Sequence, residues 1–114
     1  MAHFLIQAAY TPEAVQALLH NPHDRTSVIQ APIEKLGGRV HNMFLSFGDY
    51  DAVALIEMPD NIAAAAIALA FASGGAVKSI KTTPLLTGPE MIEAAKKAST
   101  SGYRSVVQSA KAAS

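Results

Sequence analysis

The chain has 114 residues, half of them hydrophobic, with nine basic side chains balanced by nine acidic ones. That length suits a single domain with a real core, and the composition excludes a disordered chain. A net charge of zero without a basic cluster argues against nucleic acid or an anionic membrane as partner, and the lack of cysteine excludes disulfides, thiolate metal sites and cysteine nucleophiles.

Alternation over His3–Tyr10 predicts a first strand. Thr11-Pro12-Glu13 then starts a helix, with Thr11 as cap, Pro12 at the first helical position, and Val15, Leu18 and Leu19 as its apolar stripe. Asn21-Pro22-His23-Asp24 signals a second start, and Ile29, Ile33 and Leu36 carry that helix towards Gly37-Gly38. Pro32 inside it predicts a kink or a break. Arg39–Phe47 and Tyr50–Met58 read as two strands joined by a two-residue turn, Gly48-Asp49, in which glycine supplies the positive φ. A helix from Pro59-Asp60-Asn61 runs to about Ala72, and a fourth strand, Ala76–Thr83, ends at Pro84. Thr87 and Glu90 form a capping box for a helix to about Ala98. Beyond it, Tyr103, Val106, Val107 and Ala110 make one more short apolar stripe. Two β-α-β halves joined by a hairpin predict an α+β fold, a ferredoxin-like sandwich (βαββαβ). One antiparallel sheet carries helices on a single face, with an extra C-terminal helix. Residues 1–98 form the domain and 99–114 a helical tail.

The two-residue turn sets a register. Phe47, Leu45, Met43 and His41 face Tyr50, Ala52, Ala54 and Ile56 on an apolar floor for the helices. Ser46, Phe44, Asn42 and Val40 face Asp51, Val53, Leu55 and Glu57 on the other surface, which His3, Leu5, Gln7 and Ala9 join. In this register His3 and His41 lie on opposite faces and do not pair. The second surface mixes Leu5, Phe44, Val53 and Leu55 with His3, Gln7, Asn42, Asp51 and Glu57. It is too apolar for a wet face and too polar for a core. Such a surface suits burial against a second copy of the chain, with room for a ligand. The helix over 62–72 has no charged residue, so a neighbouring chain or the C-terminal helix is expected to cover it.

Few residues carry chemistry on their own. His20, His23 and Asp24 lie close together, but Pro22 interrupts any helical ligand spacing, and solvated loop histidines are expected there. No metal site and no cofactor are expected, and no nucleophile-elbow pattern is present. Tyr50 reads as a core aromatic whose hydroxyl finds a partner. Asp51 either bonds to Ser46 or the turn backbone or belongs to a site. Glu57, inside an apolar strand, is an acid–base candidate if buried alone, with its pKa raised, and structural if paired with a lysine or arginine.

The stretch LGGRVHNMFLSFGDYDAVALIEMPD, followed by an alanine-rich helix and SGGAVKSIKT, resembles the GYD domain family. Gly48, Tyr50 and Asp51 match the motif that names the family, Glu57, Pro59 and Asp60 its downstream acid and turn, and Pro22 and Arg25 its second helical segment. The resemblance covers about residues 3–90, with Pro32 and the tail after Ser99 as departures. It implies a ferredoxin-like fold related to dimeric α+β barrels, and no particular activity.

The expected function is an oligomeric, homo-associating module that binds a small organic ligand between facing sheets, through His3, Gln7, Asn42, Phe44, Asp51 and Glu57. One alternative is a small cofactor-independent enzyme of isomerase or monooxygenase type, with Glu57, Asp51 or Tyr50 as catalytic candidates. Another is a structural or regulatory subunit. No signal peptide is recognisable at the N-terminus, and the longest apolar run falls short of the about 20 residues needed to span a bilayer. A cytoplasmic location is therefore expected.

Overall fold

The computed structural model describes residues 1–108. Its elements are β1 (Ala2–Tyr10), α1 (Pro12–His20), α2 (Thr26–Lys35), β2 (Arg39–Leu45), β3 (Ala52–Met58), α3 (Asn61–Ser73), β4 (Val77–Leu85) and α4 (Gly88–Ser99). The strands form one antiparallel sheet in the order β2-β3-β1-β4. This is the α+β, ferredoxin-like arrangement, with β3 and β1 at the centre. Ala110 of the tail stripe lies outside the described residues, and a helical turn begins at 106–108.

Local chemistry sets most of the ends. The Thr11 hydroxyl accepts the Ala14 N–H, the Asp60 carboxylate accepts the Ala63 N–H, and Thr87 and Glu90 close a reciprocal capping box. The hydrogen bonds from the Thr87 backbone and then its hydroxyl hold the Glu90 carboxyl below its ordinary pKa. α2 stops in a Schellman turn. The Gly38 N–H donates to the Ile33 carbonyl and the Gly37 N–H to that of Glu34, with Gly37 at φ 88°.

Four local expectations need correction. α2 begins at Thr26 rather than at the Asn21-Pro22 signal, because the Asp24 carboxylate takes both the backbone N–H and the hydroxyl of Thr26. Pro32 does not break α2, which continues to Lys35. Its missing N–H deprives only the carbonyl of Val28, an exposed residue. β4 runs through Pro84 to Leu85, since β4 is an edge strand, where a proline without an N–H is tolerated. The β2–β3 connection is wider than two residues. β2 ends at Leu45 and β3 begins at Ala52, and between them the Ser46 N–H donates to the Asp51 carbonyl and the Ser46 hydroxyl to that of Tyr50.

The core lies between the sheet and the helices. Phe4, Ile6, Ala54, Ile56 and Met58 point down from the central strands onto Ile33 of α2 and Ala64 and Ile67 of α3. α4 has no buried residue, and Ile62 and Leu69 of α3 remain 81% and 71% exposed. Among the described residues, α4 therefore does not cover the charge-free face of α3. The opposite face of the sheet has no helix over it among the described residues, and it displays His3, Gln7, Asn42 and Glu57.

Candidate functional site

Alternation along β3 sends Val53, Leu55 and Glu57 to the uncovered face while Ala52, Ala54, Ile56 and Met58 are buried. Cross-strand pairing then builds three rows. Gln7, Val53 and Phe44 form one, Leu5, Leu55 and Asn42 the next, and His3, Glu57 and Arg39 the last. β4 adds Lys81 beside Gln7 and Thr83 beside Leu5.

The last row differs from the sequence-derived register. Leu45, Met43, Phe44 and Asn42 pair as expected, but the ladder shifts between Val40 and Asn42, leaving His41 as the extra residue of a β-bulge. Val40 pairs with Ile56 and packs on the core, and Arg39 instead of Val40 stands opposite Glu57. His3 and His41 are therefore not on opposite faces. Their rings stack with centroids 5.7 Å apart and planes inclined by 11°. The physical reason is burial: a regular ladder would set an imidazole against Ile56, which is fully buried, and leave Val40 outside.

Glu57 is the hub. Its Oε1 lies 2.9 Å from His3 Nε2 and 3.3 Å from His41 Nε2, and its Oε2 accepts from the Arg39 guanidinium at 3.1 Å. The carboxylate side chain is only 14% exposed. Burial alone would raise its pKa, but the His41 hydrogen bond and the charges of Arg39, His3 and His41 outweigh it, and the net direction is downward. The raised pKa of a solitary buried carboxyl does not arise. His3 presents Nε2 to a carboxylate oxygen of Glu57. Its Nδ1 is buried with no hydrogen-bond partner.

The other candidates lie apart from this hub. Asp51 precedes Glu57 by six residues, about 20 Å along an extended strand, so the two carboxylates cannot share one reacting atom. Asp51 instead accepts the Tyr10 N–H through Oδ2 at 2.8 Å, while its own N–H donates to the Ala8 carbonyl. It fastens the end of β1 where the β1–β4 register shifts. Tyr50 sits in the connection, half-buried, and its carbonyl accepts from Ser46. His3, Gln7, Asn42, Phe44 and Glu57 share the uncovered face. Arg39, His41, Lys81 and Thr83 share it too and were not found from the sequence. Regular alternation hid the first two, and for β4 no pairing partner was legible.

A cavity of about 230 Å³ lies on the covered side of the sheet, lined in part by Ile6, Tyr10, Arg25, Ile29, Met43 and Phe71. Burial pushes the Tyr10 phenol pKa up, with Arg25 opposing and Asp51 adding to the rise. It is smaller than most ligand pockets. The uncovered face gathers more polar groups and is the better candidate.

The profile of the GYD domain matches residues 4–95. The chain belongs to the GYD domain family. No curated protein matches it. In this GYD domain the Gly-Tyr-Asp motif has a structural use. Gly48 takes φ 135°, a conformation that favours glycine, and Asp51 ties the β2–β3 connection to β1. Asp51→Ala removes the acceptor of a part-buried backbone N–H. It is expected to cost about 1–2 kcal/mol in urea denaturation, with Asp51→Asn losing less because its amide oxygen still accepts.

Proposed function

We propose that this GYD domain associates with a second copy through the uncovered face of its sheet and binds a small organic ligand there. One observation carries the reading. The face sets the Glu57 hub, with Gln7 and Asn42, among Leu5, Val53, Leu55 and Phe44, and no helix covers it among the described residues. Apolar side chains left in water cost free energy in proportion to their area, and a facing sheet removes that cost. The polar groups then orient a ligand enclosed between the sheets.

Native mass spectrometry tests this directly. The expected spectrum shows a dimer or larger assembly that releases a small molecule on denaturation. A ligand-free monomer at micromolar concentration overturns the proposal.

A second reading, a cofactor-independent enzyme on the same face, has one observation in its favour. Glu57 Oε1 holds two imidazoles, so an imidazole oriented by a carboxylate stands ready for proton transfer. Under that reading Glu57→Gln abolishes turnover and leaves the assembly and melting temperature nearly unchanged. A large fall in melting temperature instead makes Glu57 part of the scaffold.

A further inference from the structure

Three adjacent strands each contribute one metal-ligating side chain to the same spot. His3 comes from β1, Glu57 from β3 and His41 from the bulge in β2. One ligand atom from each lies within 4.8 Å of the other two. Donors around a single zinc-sized ion at about 2.0–2.1 Å stand roughly 3.3 Å apart, so small side-chain rotations bring this set to ligating distance. We propose that His3, His41 and Glu57 bind one divalent first-row transition-metal ion.

The donor types fit that class of ion. Two imidazoles and a carboxylate suit zinc, iron, cobalt, nickel or copper, whereas calcium and magnesium call for oxygen donors throughout. The two carboxylate oxygens have different surroundings. Oε2 is engaged by Arg39, which fixes the carboxylate plane from behind, and Oε1 faces both imidazoles. The bulge supplies the geometry, because without it His41 lies on the other face. Three protein ligands leave at least one position for water or for an oxygen of a bound organic molecule.

Two features limit the affinity. Ligation through His3 Nε2 requires the imidazole N–H to sit on Nδ1, which is buried without an acceptor. The nearby guanidinium also repels the ion. Loss of such outer partners weakens metal sites by about 10–100-fold, so micromolar rather than nanomolar binding is expected. The site departs from the sequence-derived expectation of no metal, which rested on Pro22 interrupting the ligand spacing of His20, His23 and Asp24 and on His3 and His41 lying on opposite faces. It is built within one chain and stands whether or not two sheets associate.

The test is titration of chelator-treated protein with Zn²⁺ and Co²⁺, by calorimetry and by the visible absorption of bound Co²⁺. One ion per chain is expected. His41→Ala and Glu57→Gln each remove a ligand and weaken binding by at least about 100-fold, the most that loss of an outer partner costs, and the loop variant His23→Ala leaves it unchanged. His41 is exposed on its bulge, so His41→Ala keeps the fold, and circular dichroism verifies this for both variants. The proposal is overturned by absence of saturable binding below millimolar metal. It is equally overturned by binding that survives His41→Ala in folded protein, or that disappears in His23→Ala. None of these readouts depends on subunit number, so failure here is distinct from failure of the dimeric ligand site.

Discussion

Gly38→Ala is expected to lower the melting temperature of this protein by roughly 10–20 °C, from an overpacking cost of about 2–3 kcal/mol. Gly38 closes the Schellman turn of α2 and lies against β3. A methyl group there meets the Met58 sulfur, the Glu57 carbonyl oxygen at 2.5 Å and Ile33 Cγ2 at 3.1 Å. Ile33 and Met58 are completely buried, and the Glu57 carbonyl belongs to a central strand, so neither side can move away. The Gly38 N–H is also committed to the Ile33 carbonyl at 2.9 Å, which holds the residue in place. The obstacle is space, not backbone angle, since Gly38 has no positive φ. Gly88→Ala is the matched control. Gly88 opens α4, has no positive φ and meets nothing within 4 Å, so its variant melts with the parent. Urea denaturation with equal m-values and a lower midpoint for Gly38→Ala alone is the expected result. Equal midpoints for the two variants refute the packing account. Because the obstructed carbonyl belongs to Glu57, the same substitution also disturbs the His3–His41–Glu57 cluster.

The second large effect concerns association. Phe44 lies on the uncovered face beside Val53, and 64% of it is exposed in the single chain. Substitution of an exposed side chain leaves folding stability within about 0.5 kcal/mol. A facing copy changes this. An aromatic buried in an interface contributes about 2 kcal/mol or more, and an aspartate in its place leaves an unpaired charge out of water. Phe44→Asp is therefore expected to weaken self-association by at least about 100-fold, read by sedimentation velocity over a concentration series, with an unchanged melting profile of the monomer. Leu69→Asp probes the rival surface, the charge-free face of α3. Assembly that survives Phe44→Asp and fails in Leu69→Asp places the contact on the helices and removes the basis for a ligand site between sheets.

The sequence by itself determined much of what depends on neighbouring residues, though not the start of α2, where Asp24 caps Thr26 two residues on. Thr11, Asp60 and Thr87 declared their helix starts, because a capping side chain and the N–H it accepts are three residues apart. The order of elements, and with it the ferredoxin-like fold, followed from period and turn chemistry. So did the pairing of Asn42–Leu45 with Ala52–Leu55, since a hairpin propagates register outward from its closed end. Only the tertiary structure decided what lies further along the ladder. The bulge at His41 exists because Val40 is worth more against Ile56 and the core than an imidazole is. That preference depends on which helix side chains lie beneath the sheet, and no local pattern in β2 records it. One extra residue brings His41 to His3, sets Arg39 against Glu57 and turns an isolated carboxylate into the hub of a cluster. Asp51 shows the same dependence on folding. Its partner, the Tyr10 N–H, is 41 residues away in the chain, and only the closed sheet brings them within 2.8 Å.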